Sequence, residues 1–281
     1  MKHSVVTLLV ALVVALLIAG CAGPAGTRGP DPTPFPTNAV VRLRDAIQAT
    51  LARETVDFEF DAVITGSTKI KYGTNYGGTG VSTLGGKSRM AMTADFSELG
   101  LGELEIMLDE AEAYLRGGFL EARLKPGQWA VIGTDSKDPD VIAMSEAIGR
   151  AGDIAIVIYF LYGETGPVTQ RPPQPLRGLP ADRFAVTIDL ERAADEAPAA
   201  VRDSLLLYID DLRSAGVERT LDSEAWLQDG LIRRLILTYS IEALKGGGTM
   251  RITYDFLDFG DPVELALPKA KDIVPIEDLL R

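Results

Sequence analysis

The chain has 281 residues, 46% hydrophobic and 24% charged, enough sequence for one large core or two small ones. Forty acidic residues against 28 basic ones give a formal charge of −12, which argues against nucleic acid as a partner and against broad electrostatic docking on anionic lipid. One histidine, His3, and one cysteine, Cys21, leave everything after Cys21 without the groups for a Ser-His-Asp triad, a thiol nucleophile or a His/Cys metal site.

In chain order, Lys2 precedes an apolar stretch over residues 5–19 that ends in Ile18-Ala19-Gly20-Cys21. A short basic head, an apolar segment and small residues before a cut site predict a secretory signal over residues 1–20. The tetrad resembles a bacterial lipobox, with Ile18 where Leu is commoner. That implies a diacylglycerol on the Cys21 thiol, cleavage before Cys21 and usually a further acyl chain on the freed amine. Two or more chains suffice for stable anchoring. The alternative is an uncleaved signal-anchor helix; either way the remainder is expected on the extracytoplasmic side of a bacterial cell membrane. With no disulfide there, stability has to come from the core. Residues 22–37, "AGPAGTRGPDPTPFPT", are too rich in Pro, Gly and Thr to bury anything and predict a tether reaching about 50 Å at most. Residues 38–281 read as one domain.

That domain opens on a helix, with Asn38 as N-cap and Val40, Leu43, Ile47 and Leu51 on one face. The period then changes to two. Val56, Phe58, Phe60, Ala62 and Ile64 alternate with Asp57, Glu59 and Asp61; Met90, Met92, Ala94 and Phe96 alternate with Arg89, Thr93 and Asp95. Leu104, Ile106 and Leu108 alternate with Glu103, Glu105 and Asp109, and the pattern returns at Phe184/Val186/Ile188, Leu231/Leu235/Leu237/Tyr239 and Ile252/Tyr254/Phe256. One wet and one dry face on successive strands predict an antiparallel sheet. Turns are marked by Asp229-Gly230 and Gly246-Gly247-Gly248. Helices are expected after Asp138-Pro139, with Val141, Met144 and Ile148 on a face, and over 197–215.

Between these helices, residues 154–162 are apolar without a break. Nine helical residues span about 14 Å against roughly 30 Å of hydrocarbon, so this is not a membrane span. Isoleucine content would suit a strand, but Asp153 can cap a helix and Gly163 can end it. A helix apolar all round must be covered on every side. The Pro-rich stretch 165–180 reads as a surface loop.

Motifs mostly return absences. "GVSTLGGKS" misses the P-loop spacing, having Val81 where glycine is required, and reads as a hairpin loop. Asp135, Asp138 and Asp140 lack the glycine and distal glutamate of an EF-hand and suit a helix N-terminus. Asp255, Asp258 and Asp261 read as strand-end and turn residues. Glu103, Glu105 and Asp109, or Asp57, Glu59 and Asp61, could be glycosidase carboxylates, but each set lies on the wet face of its strand, where a pKa is hard to raise. Neither a cofactor nor a metal is implied.

Several stretches, taken in order, resemble the LppX/LprG-type bacterial lipoproteins and, more distantly, the LolA/LolB carriers. They are "AYLRGGFLEARLKPGQWAVIG" (113–133, with Trp129), "DPDVIAMSEAIGRAG" (138–152), "LRGLPADRFAVTIDL" (176–190), "EAWLQDGLIRRLILTYS" (224–240) and "MRITYDFLDFGDPVELALP" (250–268). The resemblance implies an α+β fold: a strongly curved antiparallel sheet, half a β-barrel, with helices packed in its concave face and a hydrophobic cavity between. It implies no catalytic residue. The cavity would be lined by Phe58, Phe60, Ile64, Met90, Met92, Leu104, Ile106, Ile154, Ile158, Leu161, Leu235, Leu237, Tyr239, Ile252 and Tyr254. In this arrangement 154–162 lies in the mouth of the half-barrel, either facing a ligand or sealed in core. Three functions follow: a membrane-tethered carrier of lipid or a lipidated ligand, an envelope adaptor or stress sensor acting on protein partners with a filled core, and a carboxylate hydrolase.

Overall fold

A computed structural model of the chain describes residues 38–65, 74–85, 87–110, 112–133, 136, 138, 141, 142, 145, 148, 153–241 and 248–279. The expected signal, Cys21, the tether, Asp135, Asp140, Met144, and Gly246 and Gly247 of the expected turn lie outside the described residues. Helix α1 (Asn38–Leu51) leads into β1 (Thr55–Thr65), β2 (Thr74–Thr83), β3 (Arg89–Phe96), β4 (Gly102–Asp109), β5 (Glu112–Gly117) and β6 (Trp129–Ile132). The apolar run follows as α2 (Ile154–Tyr159) and the 3-10 turn Phe160–Gly163. Then come β7 (Glu164–Leu176), β8 (Leu179–Asp189), α3 (Leu190–Glu196), α4 (Ala199–Ser214), β9 (Thr220–Gln228), β10 (Leu231–Ile241) and β11 (Gly248–Phe259), with β12 (Ile273–Pro275) and α5 (Ile276–Leu279) closing the chain.

The strands form one curved, unclosed sheet in the order β12-β6-β5-β4-β3-β2-β1-β11-β10-β9-β8-β7, antiparallel throughout except for the β12–β6 pair. Period-two patterning is the cause. In β1 and β3 every second residue, from Val56 to Ile64 and from Met90 to Phe96, is buried, while the acidic residues between them face out. The fold is the expected α+β half-barrel, with the helices on one face.

Strand β2, "TNYGGTGVST", has no alternation to betray it. Between the buried Tyr76 and Ser82 its inward positions, Gly78 and Gly80, are glycines, and the neighbouring phenylalanines occupy the vacated space. Gly80 pairs with Phe58 and Gly78 with Phe60. A Cβ on Gly78 would lie 2.4 Å from the Thr93 carbonyl oxygen and 2.9 Å from the Phe60 ring. Aromatic side chains laid over strand glycines restore the packing that glycine forfeits.

The Pro-rich stretch expected as a surface loop is instead most of edge strand β7 and its hairpin with β8. Its register breaks between Thr165 and Thr169 and again between Arg171 and Gln174. Pro167, Pro172, Pro173 and Pro175 remove donors from a strand that has no further neighbour among the described residues, which keeps this edge from pairing with another chain. Asp255 is also not a turn residue. It lies within β11, where its carboxylate accepts from Arg234 Nε at 2.7 Å and Nη2 at 2.6 Å.

The expected 197–215 helix is α4, and α3 precedes it, capped by Asp189, whose carboxylate accepts from the Arg192 amide at 3.1 Å. Residues 141, 142, 145 and 148 are helical, with the Val141 and Ile142 amides donating to the Asp138 carbonyl at 3.1 Å. Past β11 the chain crosses the outer face as a strap. Val263 is buried there, and its carbonyl accepts from Arg89 at 3.3 Å. The strap ends by adding β12 to the far edge and burying Ile276.

Gly163 does end the apolar run, but because of packing rather than a left-handed turn. A Cβ there would lie 2.3 Å from the Asp189 carbonyl oxygen and 2.8 Å from the Ala193 amide. Gly163→Ala is therefore expected to cost about 1–3 kcal/mol by forcing α3 outward, read as a lowered urea midpoint at unchanged slope.

Candidate hydrophobic ligand site

The site is built from the dry faces of the strands and the helices laid over them. Asp153 caps α2, its carboxylate accepting from the Ala155 amide at 3.1 Å. From Ile154 to Leu161 every side chain but Tyr159 is buried, so the run is covered on all sides, as a helix apolar all round requires. The run departs from the expected single helix, changing from α to 3-10 geometry at Phe160.

All fifteen residues proposed from sequence as ligand-facing are buried, and all belong to one hydrophobic cluster. From the sheet side come Phe58, Phe60 and Ile64, then Met90 and Met92, Leu104 and Ile106, Leu235, Leu237 and Tyr239, and Ile252 and Tyr254; from the helix side come Ile154, Ile158 and Leu161. Helical residues that the sequence reading left out of the site share the same layer. Phe160 tilts against Tyr208 of α4 with ring centres 5.8 Å apart, and Tyr254 stacks on Phe256 at 6.4 Å. Tyr208 lies on the buried stripe of α4, so that stripe was the signal available.

Polar contacts seat α1 over this layer. Arg42 pairs with Asp182, and Arg44 donates to Glu164 from Nε at 2.9 Å and Nη2 at 2.6 Å. The Thr50 hydroxyl donates to the Ala46 carbonyl at 2.7 Å and accepts from the Ile232 amide at 2.9 Å. Burial pushes the phenols of Tyr239 and Tyr254 well above their usual pKa, so both are neutral at any physiological pH. Desolvation raises the Asp153 carboxyl to about 6, against the smaller lowering from its backbone hydrogen bond.

The outer face carries different chemistry. Trp129 lies there, under the Arg116 guanidinium at 4.3 Å, not in the apolar layer. Trp226 is matched with Arg183 in the same way at 4.6 Å. Each arginine also pairs with a glutamate on the neighbouring strand, Glu105 and Glu224 respectively. The carboxylates weighed as glycosidase pairs are thus on the wet face, with Glu105 held by Arg116 and Asp109 by Arg89. A groove of about 910 Å³ runs between the strap and Trp129, floored by Val81, Ala91 and Met107. Among the described residues no cluster of His, Cys, Asp and Glu could hold a metal ion, and no helix is long and apolar enough to cross a membrane.

No protein-family profile and no curated protein matches the sequence. Among solved structures the chain is similar to LprF from Mycobacterium bovis, at 12% identity and a TM-score of 0.47 over 84% of this chain and 99% of that one. It is also similar to a LolA superfamily protein from Nitrosomonas europaea, at 9% identity and a TM-score of 0.33 over 82% and 96% of the two chains. A DUF1329 family protein from Desulfovibrio piger aligns at 10% identity and a TM-score of 0.26, over 82% and 92%. The first two fall in the groups that the sequence stretches resemble.

Proposed function

We propose that the protein is a lipoprotein, anchored through Cys21 on the extracytoplasmic side of the membrane, whose half-barrel binds and carries a lipid or other apolar ligand between sheet and helices. The observation that carries this reading is the single apolar layer, continuous from β3 and β4 across β1, β11 and β10 to the 154–161 run. An acyl chain placed in that layer meets apolar side chains on both sides, and binding of this kind draws on the same area term that drives folding. No residue is assigned a catalytic role.

A second reading is favoured by the outer groove beside Trp129: an envelope adaptor with a filled core that works through protein contacts. One experiment separates the two. The full chain carrying Cys21→Ser, which has no thiol to acylate, is purified and its native mass recorded before and after incubation with phospholipid and acylglycerol. The carrier reading expects a discrete lipid at near-stoichiometric amounts, recovered by organic extraction. A mass that stays that of the polypeptide alone would end that reading and leave the adaptor. Acyl labelling of the unsubstituted chain, abolished by Cys21→Ser, checks the anchor.

A further inference from the structure

Most buried hydroxyls in the ligand layer are spoken for. Thr50 bridges Ala46 and Ile232, and Ser82 donates to the Thr83 carbonyl at 3.1 Å. On the inward face of β9 and β10 two are not. Among the described residues the Tyr239 Oη and the Ser223 Oγ find no hydrogen-bond partner, although these residues are 0% and 3% exposed. A buried hydroxyl without a partner is costly, and folds keep few of them.

Strand register puts these two together. Ser223 of β9 pairs with Leu237 of β10, and Tyr239 follows two residues later on the same inward face. The two side chains are therefore diagonal cross-strand neighbours on the inward face. Tyr208 from α4, Tyr254 from β11 and Tyr76 from β2 belong to the same buried cluster as Tyr239, and their phenols act on its own electrostatically. Phe160 packs on Tyr208, so the spot lies beneath the turn that follows α2. It is a polar island in an apolar layer, and it carries no charge. Among the described residues the buried polar side chains are Thr50, Ser82, Ser145, Glu164 and Ser223, and the one carboxylate of that set is already bound to Arg44. Without a buried cation, a phosphate or carboxylate could not be desolvated here.

We infer that Tyr239 and Ser223 form a hydrogen-bonding anchor for one uncharged oxygen, an ester carbonyl or a hydroxyl, of the apolar ligand held between sheet and helices. The anchor rests on the carrier reading and deepens it: it selects among apolar ligands by a single neutral polar atom and keeps ionised headgroups out of the interior.

The test uses the full chain carrying Cys21→Ser and displacement of bound N-phenyl-1-naphthylamine by methyl palmitate or by hexadecane. The ester is expected to bind about five- to tenfold more tightly than the alkane, the worth of one neutral hydrogen bond. Tyr239→Phe and Ser223→Ala should each cut that preference, read as the ratio of ester to hexadecane affinity, to about twofold or less. Because no internal bond is lost, Tm should stay the same or rise. A preference that survives both substitutions overturns the anchor while leaving the carrier intact. A lowered Tm with both probes weakened equally overturns it too, since Tyr239 would then serve packing alone. If neither probe displaces the dye from the unsubstituted pocket, the carrier reading fails and the anchor with it.

Discussion

Arg44→Ala is expected to destabilise the protein by about 3 kcal/mol, toward the low end of what breaking a buried ion pair costs because the arginine is partly solvated. Its partner is not: the Glu164 side chain is 6% exposed, against 36% for Arg44. Glu164 Oε1 takes both hydrogen bonds from Arg44, and Oε2 finds no partner among the described residues. Removing the guanidinium would strand a carboxylate in the interior, and Glu196, 3.8 Å from the same arginine, offers no replacement cation. Glu164 directly follows Gly163, so the pair also ties α1 to the end of the apolar run. Adding Glu164→Gln to Arg44→Ala should recover more than half of the loss, because the stranded charge is gone. Urea unfolding of the two variants decides it. A loss below about 1 kcal/mol, or a double variant no more stable than the single one, would show that the pair is a surface contact.

Asp153→Asn is expected to work in the opposite direction. The Asp153 carboxyl has a folded-state pKa of about 6, raised from 3.8 by desolvation. Between those values the native state holds a proton that the unfolded chain has released, so stability falls as pH rises from about 4 to 6 and stays lower above it. Two pKa units correspond to about 3 kcal/mol at most. Asparagine caps a helix as well as aspartate does and has no charge to desolvate. The variant should therefore gain about 2 kcal/mol at pH 7.5, several degrees in Tm for a domain of this size, and nothing at pH 3.5. Thermal unfolding at both pH values checks this. An equal gain at both, or a loss at pH 7.5, would mean that the carboxylate is solvated or that its charge helps to hold the helix.

The legible strands were those with one wet and one dry face. In β1, β3, β4, β10 and β11 the alternation of apolar with charged residues needs no tertiary knowledge to read, and neither does the Asp153 cap on an apolar run. Strand β2 was illegible because the middle of its dry face is Gly78 and Gly80, and the apolar matter that fills it there belongs to Phe60 and Phe58 of β1. β7 was misread because proline punctuates loops and also blunts sheet edges; which of these applies depends on whether a strand has a second neighbour. β12 is three residues long and exists only because the strap delivers it to the edge of β6.

The candidate site divides in the same way. The burial of the twelve strand positions could be read from period, because a residue's side of a strand is a local property, and that of Ile154, Ile158 and Leu161 from a run apolar all round. Three things were not local: that Trp129 faces outward under Arg116, that the 154–161 run changes to 3-10 geometry where Phe160 meets Tyr208, and that the hydroxyls of Tyr239 and Ser223 find no partner among the described residues. Each depends on which strands become neighbours and in what register. Composition by itself determined the absence of thiol and imidazole chemistry after Cys21, and patterning determined an antiparallel sheet with one dry face. The tertiary structure alone decided what that face packs against, because burial is set by the partner element, and a hydroxyl is satisfied or orphaned only by atoms far away in the chain.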